Sequence, residues 1–131
     1  MVRKDFDEWN KMNKQINLSE NKPIFYEREI WNCNLGLNIS SEQDGVGANF
    51  IRPVLIFKKF NKSIFWAIPL TRTIKTLPFY HTFQSVFDDQ KSTAILSQIR
   101  LLDSKRLLNK IDYIESLDFE DLNKKFKELL P

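Results

Sequence analysis

Two apolar runs separated by a short polar break limit what this chain can fold into more than any other feature. Val54 to Phe57 is unbroken, rich in β-branched and aromatic side chains, and too short for a helix before Lys58 and Lys59. It reads as a buried strand. Ile64 to Leu70 is the second run, and Phe60-Asn61-Lys62-Ser63 between them has the spacing and polarity of a hairpin turn. Arg52 stands at the entry of the first strand and Thr71 at the exit of the second, so antiparallel pairing brings a guanidinium and a hydroxyl to the same end. Pro53, which has no backbone N–H to give to a ladder, sits where a strand begins and fits this arrangement.

The rest of the chain sets the boundaries. A length of 131 residues predicts one domain around a single core. An apolar share of 42%, with eleven phenylalanines, places it in the globular class rather than the disordered one. The formal charge of +3 allows an anionic partner such as nucleic acid without requiring one. The lone Cys33 excludes an intramolecular disulfide and cannot by itself form a metal site, which points to a reducing cytoplasm. Acidic residues occupy the N-terminal stretch where a signal peptide needs its apolar centre, and no apolar run reaches the length of a membrane span, so no membrane association is expected. P-loop, dinucleotide, paired-cysteine zinc and His-Glu-x-x-His patterns are absent from the sequence.

Phe6, Trp9, Met12 and Ile16 fall on one helical face, predicting an amphipathic helix; its stripe either packs on the same domain or docks a partner. Residues 1–24 are read as this helix and its connector, and residues 25–131 as the main domain. Ile30 to Leu35 alternates as a half-buried strand with Cys33 on its inner face. The three glycines then mark a long loop from Gly36 to Ile51. Phe79 to Phe87 and Ser92 to Leu101 are predicted strands, the first carrying His81 on its aromatic side, where it is either a structural histidine or a general base. Asp103 or Ser104 is expected to cap a short helical turn through Leu108, and Asp118 to cap a final helix with Phe119, Leu122, Phe126, Leu129 and Leu130 on one side.

Five blocks of these residues, in order, resemble the MazF/PemK family of bacterial toxin endoribonucleases. They are Glu29-Ile30-Trp31, Ser41-Glu42-Gln43, Arg52-Pro53-Val54-Leu55-Ile56, Pro69-Leu70-Thr71, and Leu96-Ser97-Gln98-Ile99-Arg100 followed by Asp103 and Arg106-Leu107. The resemblance implies a mainly β, α+β fold: an SH3-like antiparallel barrel, here with an extra N-terminal helix and a C-terminal helix. It implies a homodimer that cleaves single-stranded RNA through attack of the ribose 2′-hydroxyl, with no metal and no cofactor, and that is silenced by a cognate antitoxin protein. The rival reading keeps the barrel without the chemistry, as an RNA- or protein-binding module that includes gyrase-type target binders.

By the same resemblance, Arg52 matches the family's catalytic arginine and Thr71 its catalytic threonine. Arg52 suits a forked contact with phosphate oxygens and stabilises charge in the transition state, while Thr71 donates a hydrogen bond that orients the phosphate. Glu42 takes the place of the motif's glutamate, where it either accepts a proton or binds a base edge. Gln43 and Gln98 belong to the matching motifs and are expected at the RNA. Lys58, Arg72 and Lys75, with the aromatic rings of Phe50 and Tyr80, are expected as phosphate contacts and stacking platforms.

Overall fold

A computed structural model of the chain describes residues 5–18, 22–36 and 51–131. The expected hairpin lies at its centre. Strand β2 (Ile51–Lys59) pairs antiparallel with β3 (Ile64–Thr71), Val54 opposite Pro69 and Leu55 opposite Ile68. Asn61 closes the turn by accepting from the backbone N–H groups of Ser63 (2.8 Å) and Ile64 (3.0 Å) through its side-chain oxygen. The apolar run of β2 is unbroken because both faces of the hairpin are covered. Val54 and Ile56 enter one core with Phe25, Trp31, Cys33 and Phe65, whereas Leu55 enters a second core with Ile30, Ile68, Phe83 and Leu122.

Around the hairpin the described residues build one antiparallel α+β sheet fold of the expected SH3-like kind. Strand β1 (Glu29–Asn34) lies on the other side of β2, and β7 (Leu107–Tyr113) lies beyond β1. Strand β4 (Tyr80–Gln84) pairs with β5 (Lys91–Ile95), which joins the far end of β3 through Leu70 and Thr71. Strand β6 (Arg100–Asp103) pairs with the near end of β3, Ile64 to Ala67. Helix α1 (Phe6–Leu18) and helix α2 (Ser116–Glu128) complete the fold.

Three expectations need correction. The strand predicted over Ser92 to Leu101 is two strands, β5 and β6, separated by a 3₁₀ turn at Leu96–Gln98. The turn lets one stretch of chain pair first with one end of β3 and then with the other, and the buried Leu96 anchors the bend in the second core. The strand predicted over Phe79 to Phe87 stops at Gln84, which leaves Phe87 mostly exposed against the edge of Tyr113. The final helix starts at Ser116 rather than being capped by Asp118, whose carboxylate instead reaches His81. Asp103 does cap as expected, accepting from Lys105 N at 2.9 Å, although its turn ends at Arg106 and the chain continues into β7.

Both terminal helices dock by identifiable contacts. On α2, Leu122 is fully buried, and Phe119 and Phe126 flank the ring of Phe57 at 5.9 and 5.0 Å between centroids. On α1, the Trp9 indole rests on Gly36 and lies 5.5 Å from the Arg106 guanidinium, while Asn13 accepts from Arg106 Nη2 at 3.4 Å. Gly36 has φ +78°, and a β-carbon there would fall 2.2 Å from the indole ring. No described helix is long and apolar enough to cross a membrane.

Candidate active site

The end of the β2–β3 ladder holds the two residues that the sequence singled out. Continuing the register of Val54 with Pro69 by two positions sets Arg52 opposite Thr71. Both border a cavity of about 210 Å³, together with Ile30, Leu70, Arg72 and Asp112. Arg52 Nη1 donates to the carbonyl oxygen of Leu70 at 3.0 Å, which fixes the plane of the guanidinium against the end of β3. Thr71 Oγ1 accepts from Thr73 N at 3.3 Å, so its hydroxyl proton is turned away from that amide. A planar cation and an oriented hydroxyl donor therefore share one hollow, an arrangement suited to phosphate oxygens.

The rim is set by a charge pair. Arg72 Nη2 is bonded to Asp88 Oδ2, linking the exit of β3 to the segment between β4 and β5. The bond from Arg72, seconded by the backbone N–H of Gln90, holds the Asp88 carboxyl below its ordinary value. Deeper in the hollow, Asp112 is buried and accepts from Ser85 Oγ at 2.5 Å, Phe87 N at 2.9 Å and Tyr113 N at 2.8 Å. Neither Ser85 nor Asp112 was singled out in the sequence. The available signal was the place of Asp112 among the apolar neighbours Ile111, Tyr113 and Ile114, since apolar surroundings seldom hold an unpaired carboxylate.

A family profile described as PemK-like, MazF-like toxin of type II toxin–antitoxin systems matches residues 26–130. The chain belongs to this family. It is thus a type II toxin of the MazF/PemK kind, and α1 precedes the matched region. None of the curated proteins matches the sequence significantly. Among solved structures, MazF from Deinococcus radiodurans superposes with a TM-score of 0.65 at 18% identity, over 82% of this chain and 96% of that one. The MazE–MazF complex of the same organism gives 0.61 at 20% identity, over 84% and 96% of the two chains. A mycobacterial endoribonuclease in complex with its cognate antitoxin gives 0.62 at 17% identity, over 83% and 97%. At such identities the likeness is one of fold.

The remaining expected site residues of this MazF-like toxin are dispersed. Glu42, Gln43 and Phe50 lie outside the described residues. Arg72 borders the cavity of Arg52 and Thr71. Lys75 and Tyr80 line a second hollow with His81 and Lys125, the Lys75 ammonium standing 5.2 Å from the Tyr80 ring centroid. Gln98 is half-buried in the turn after β5, and Lys58 is exposed toward the opposite end of β2 from Arg52. Lys125 donates to the Tyr80 carbonyl at 3.1 Å.

His81 does not line the cavity of Arg52. It is buried beside Phe83 and its Nε2 lies 2.9 Å from Asp118 Oδ1, so it fastens β4 to α2. Cys33 is fully buried, and burial pushes its thiol up to about 12, which removes it as a nucleophile. Among the described residues no three His, Cys, Asp or Glu side chains lie close enough together to hold a metal ion.

Proposed function

We propose that this MazF/PemK-family toxin is an endoribonuclease that cuts single-stranded RNA at the Arg52–Thr71 cavity. The observation carrying the reading is the meeting of a fixed guanidinium and an oriented hydroxyl at one strand end, within a chain that matches a toxin family. In the reaction the 2′-oxygen forms a bond to the adjacent phosphorus, the bond from phosphorus to the 5′-oxygen breaks, and the products are a 2′,3′-cyclic phosphate and a 5′-hydroxyl. Negative charge grows on the non-bridging oxygens along the way. Arg52 stabilises that charge and Thr71 donates to one of the same oxygens. The 2′-hydroxyl proton must leave and the 5′-oxygen must gain one; Glu42 is assigned as the acceptor, and donation to the leaving oxygen falls to a group at the cavity.

The protein works as a homodimer in the cytoplasm and is held inactive by a cognate antitoxin. The mycobacterial endoribonuclease and the Deinococcus MazF, both solved with antitoxin partners, support that last assignment. Gln43, Phe50, Lys58, Arg72, Lys75, Tyr80 and Gln98 are the proposed RNA contacts. Incubating the purified protein with a long, weakly structured RNA in EDTA, beside Arg52→Ala, tests the central claim. Discrete cuts with cyclic-phosphate and 5′-hydroxyl ends are expected, with cleavage by Arg52→Ala reduced roughly 10² or more. Intact RNA with the folded wild-type protein, or undiminished cutting by folded Arg52→Ala, overturns it.

A further inference from the structure

Two side chains of the cavity have no part in the chemistry above, and the bonds they already make define what they can still accept. Asp112 Oδ1 receives the backbone N–H groups of Phe87 and Tyr113, which fill both of its lone-pair sites. Asp112 Oδ2 receives the Ser85 hydroxyl at 2.5 Å, which occupies one site and uses the hydroxyl's single proton. What the pair still offers is two acceptors side by side, on Asp112 Oδ2 and Ser85 Oγ, and no donor. Ile30, Leu70 and Ile111 supply apolar wall to the same hollow. Its volume of about 210 Å³ is smaller than the roughly 300–1,000 Å³ of sites for drug-sized ligands and suits a single planar ring system.

Resting on the ribonuclease reading for its ligand, we propose that Ser85 and Asp112 form a nucleobase subsite that selects guanine beside the cut phosphate. Guanine presents two adjacent donors, N1–H and the 2-amino group, on its Watson–Crick edge. Adenine and cytosine place a ring acceptor next to their amino group, and uracil flanks its one N–H with carbonyls. Each of those edges sets an acceptor against the pair, which only the Ser85 proton can meet, and only by giving up its bond to Asp112 Oδ2. Single-stranded RNA exposes these edges because its bases are unstacked when bound. Asp112 is held in place by two backbone bonds, so the acceptor pair is formed before the base arrives.

The test uses short oligonucleotides with 2′-fluoro sugars, which have no attacking hydroxyl, uridine throughout except for one central guanosine, inosine, adenosine, cytidine or uridine. Binding to the full chain is read by fluorescence anisotropy. Inosine differs from guanosine only in lacking the 2-amino group, so guanosine is expected to bind about tenfold more tightly than inosine. Asp112→Asn and Ser85→Ala are each expected to remove that difference. Ser85→Ala keeps both backbone bonds to Asp112 and carries the test if Asp112→Asn fails to fold. Equal binding of guanosine and inosine by the wild type, no binding of any oligonucleotide, or variants that weaken all five equally while keeping the preference would overturn the proposal. Because these probes cannot be cut, guanine-selective binding without RNA cleavage refutes only the nuclease reading, and cleavage without guanine preference refutes only this subsite.

Discussion

Arg52 and Leu70 are joined across the end of the central hairpin, Nη1 to carbonyl oxygen at 3.0 Å, one residue before the hydroxyl of Thr71. The guanidinium is thus anchored to the backbone of β3, and its plane is set before any ligand arrives. A lysine at this position keeps the charge and loses the fork. Arg52→Lys is therefore expected to fold normally and to cleave RNA about tenfold or more slowly than wild type, between wild type and Arg52→Ala. Single-turnover rates on one defined RNA check this; equal rates for Arg52→Lys and wild type would reduce Arg52 to a point charge.

Burial makes the Cys33 thiol inert. A group whose folded pKa is raised contributes stability below its ordinary value, here 9.0, that is lost as the pH climbs toward the folded value of about 12. Ellman's reagent at about pH 8 is expected to leave the native thiol untouched and to react stoichiometrically once the chain is unfolded. Rapid labelling of the native protein would contradict the packing of β1.

The Arg72–Asp88 clasp has the opposite pH dependence. Its carboxyl sits below the ordinary 3.8, so its contribution to stability is present above that value and disappears as the pH falls through the lower folded one. Denaturant midpoints of wild type and Asp88→Asn should differ slightly at about pH 6 and converge in stronger acid. A gap that persists unchanged in acid would assign the loss to something other than this carboxylate.

Gly36 is where α1 meets the sheet. Alanine there must adopt φ +78° and displace the Trp9 indole from 2.2 Å. The backbone alone costs roughly 1–2 kcal/mol, and the ring must lift away as well. Gly36→Ala should lower the denaturation midpoint and shift tryptophan emission to longer wavelength, with the shift absent in a Trp9→Phe background.

The hairpin, both terminal helices and the Arg52–Thr71 meeting were legible because each depends on local pattern: apolar runs, helical stripes and the geometry of an antiparallel turn. The split of β5 from β6 was not, because their sequence is continuously strand-like and only the change of pairing along β3 breaks it. Strand β7 escaped notice since Leu108, Asn109, Lys110 and Ile111 are all exposed, leaving no alternation to read. Asp118 had the form of an N-cap, yet its partner His81 lies 37 positions away, and Ser85 finds Asp112 across 27. Polar partnerships of that span leave no periodic trace.

Val54, Leu55 and Ile56 are all at 0% exposure, alternate residues belonging to different cores. No position in that run has a solvent side on which a polar change could be absorbed. For the gene, this enlarges the target for inactivation well beyond the cavity. Survivors selected from cells forced to express the toxin should carry changes at these three consecutive codons as readily as at Arg52, and the map of escape mutations would trace the strand itself.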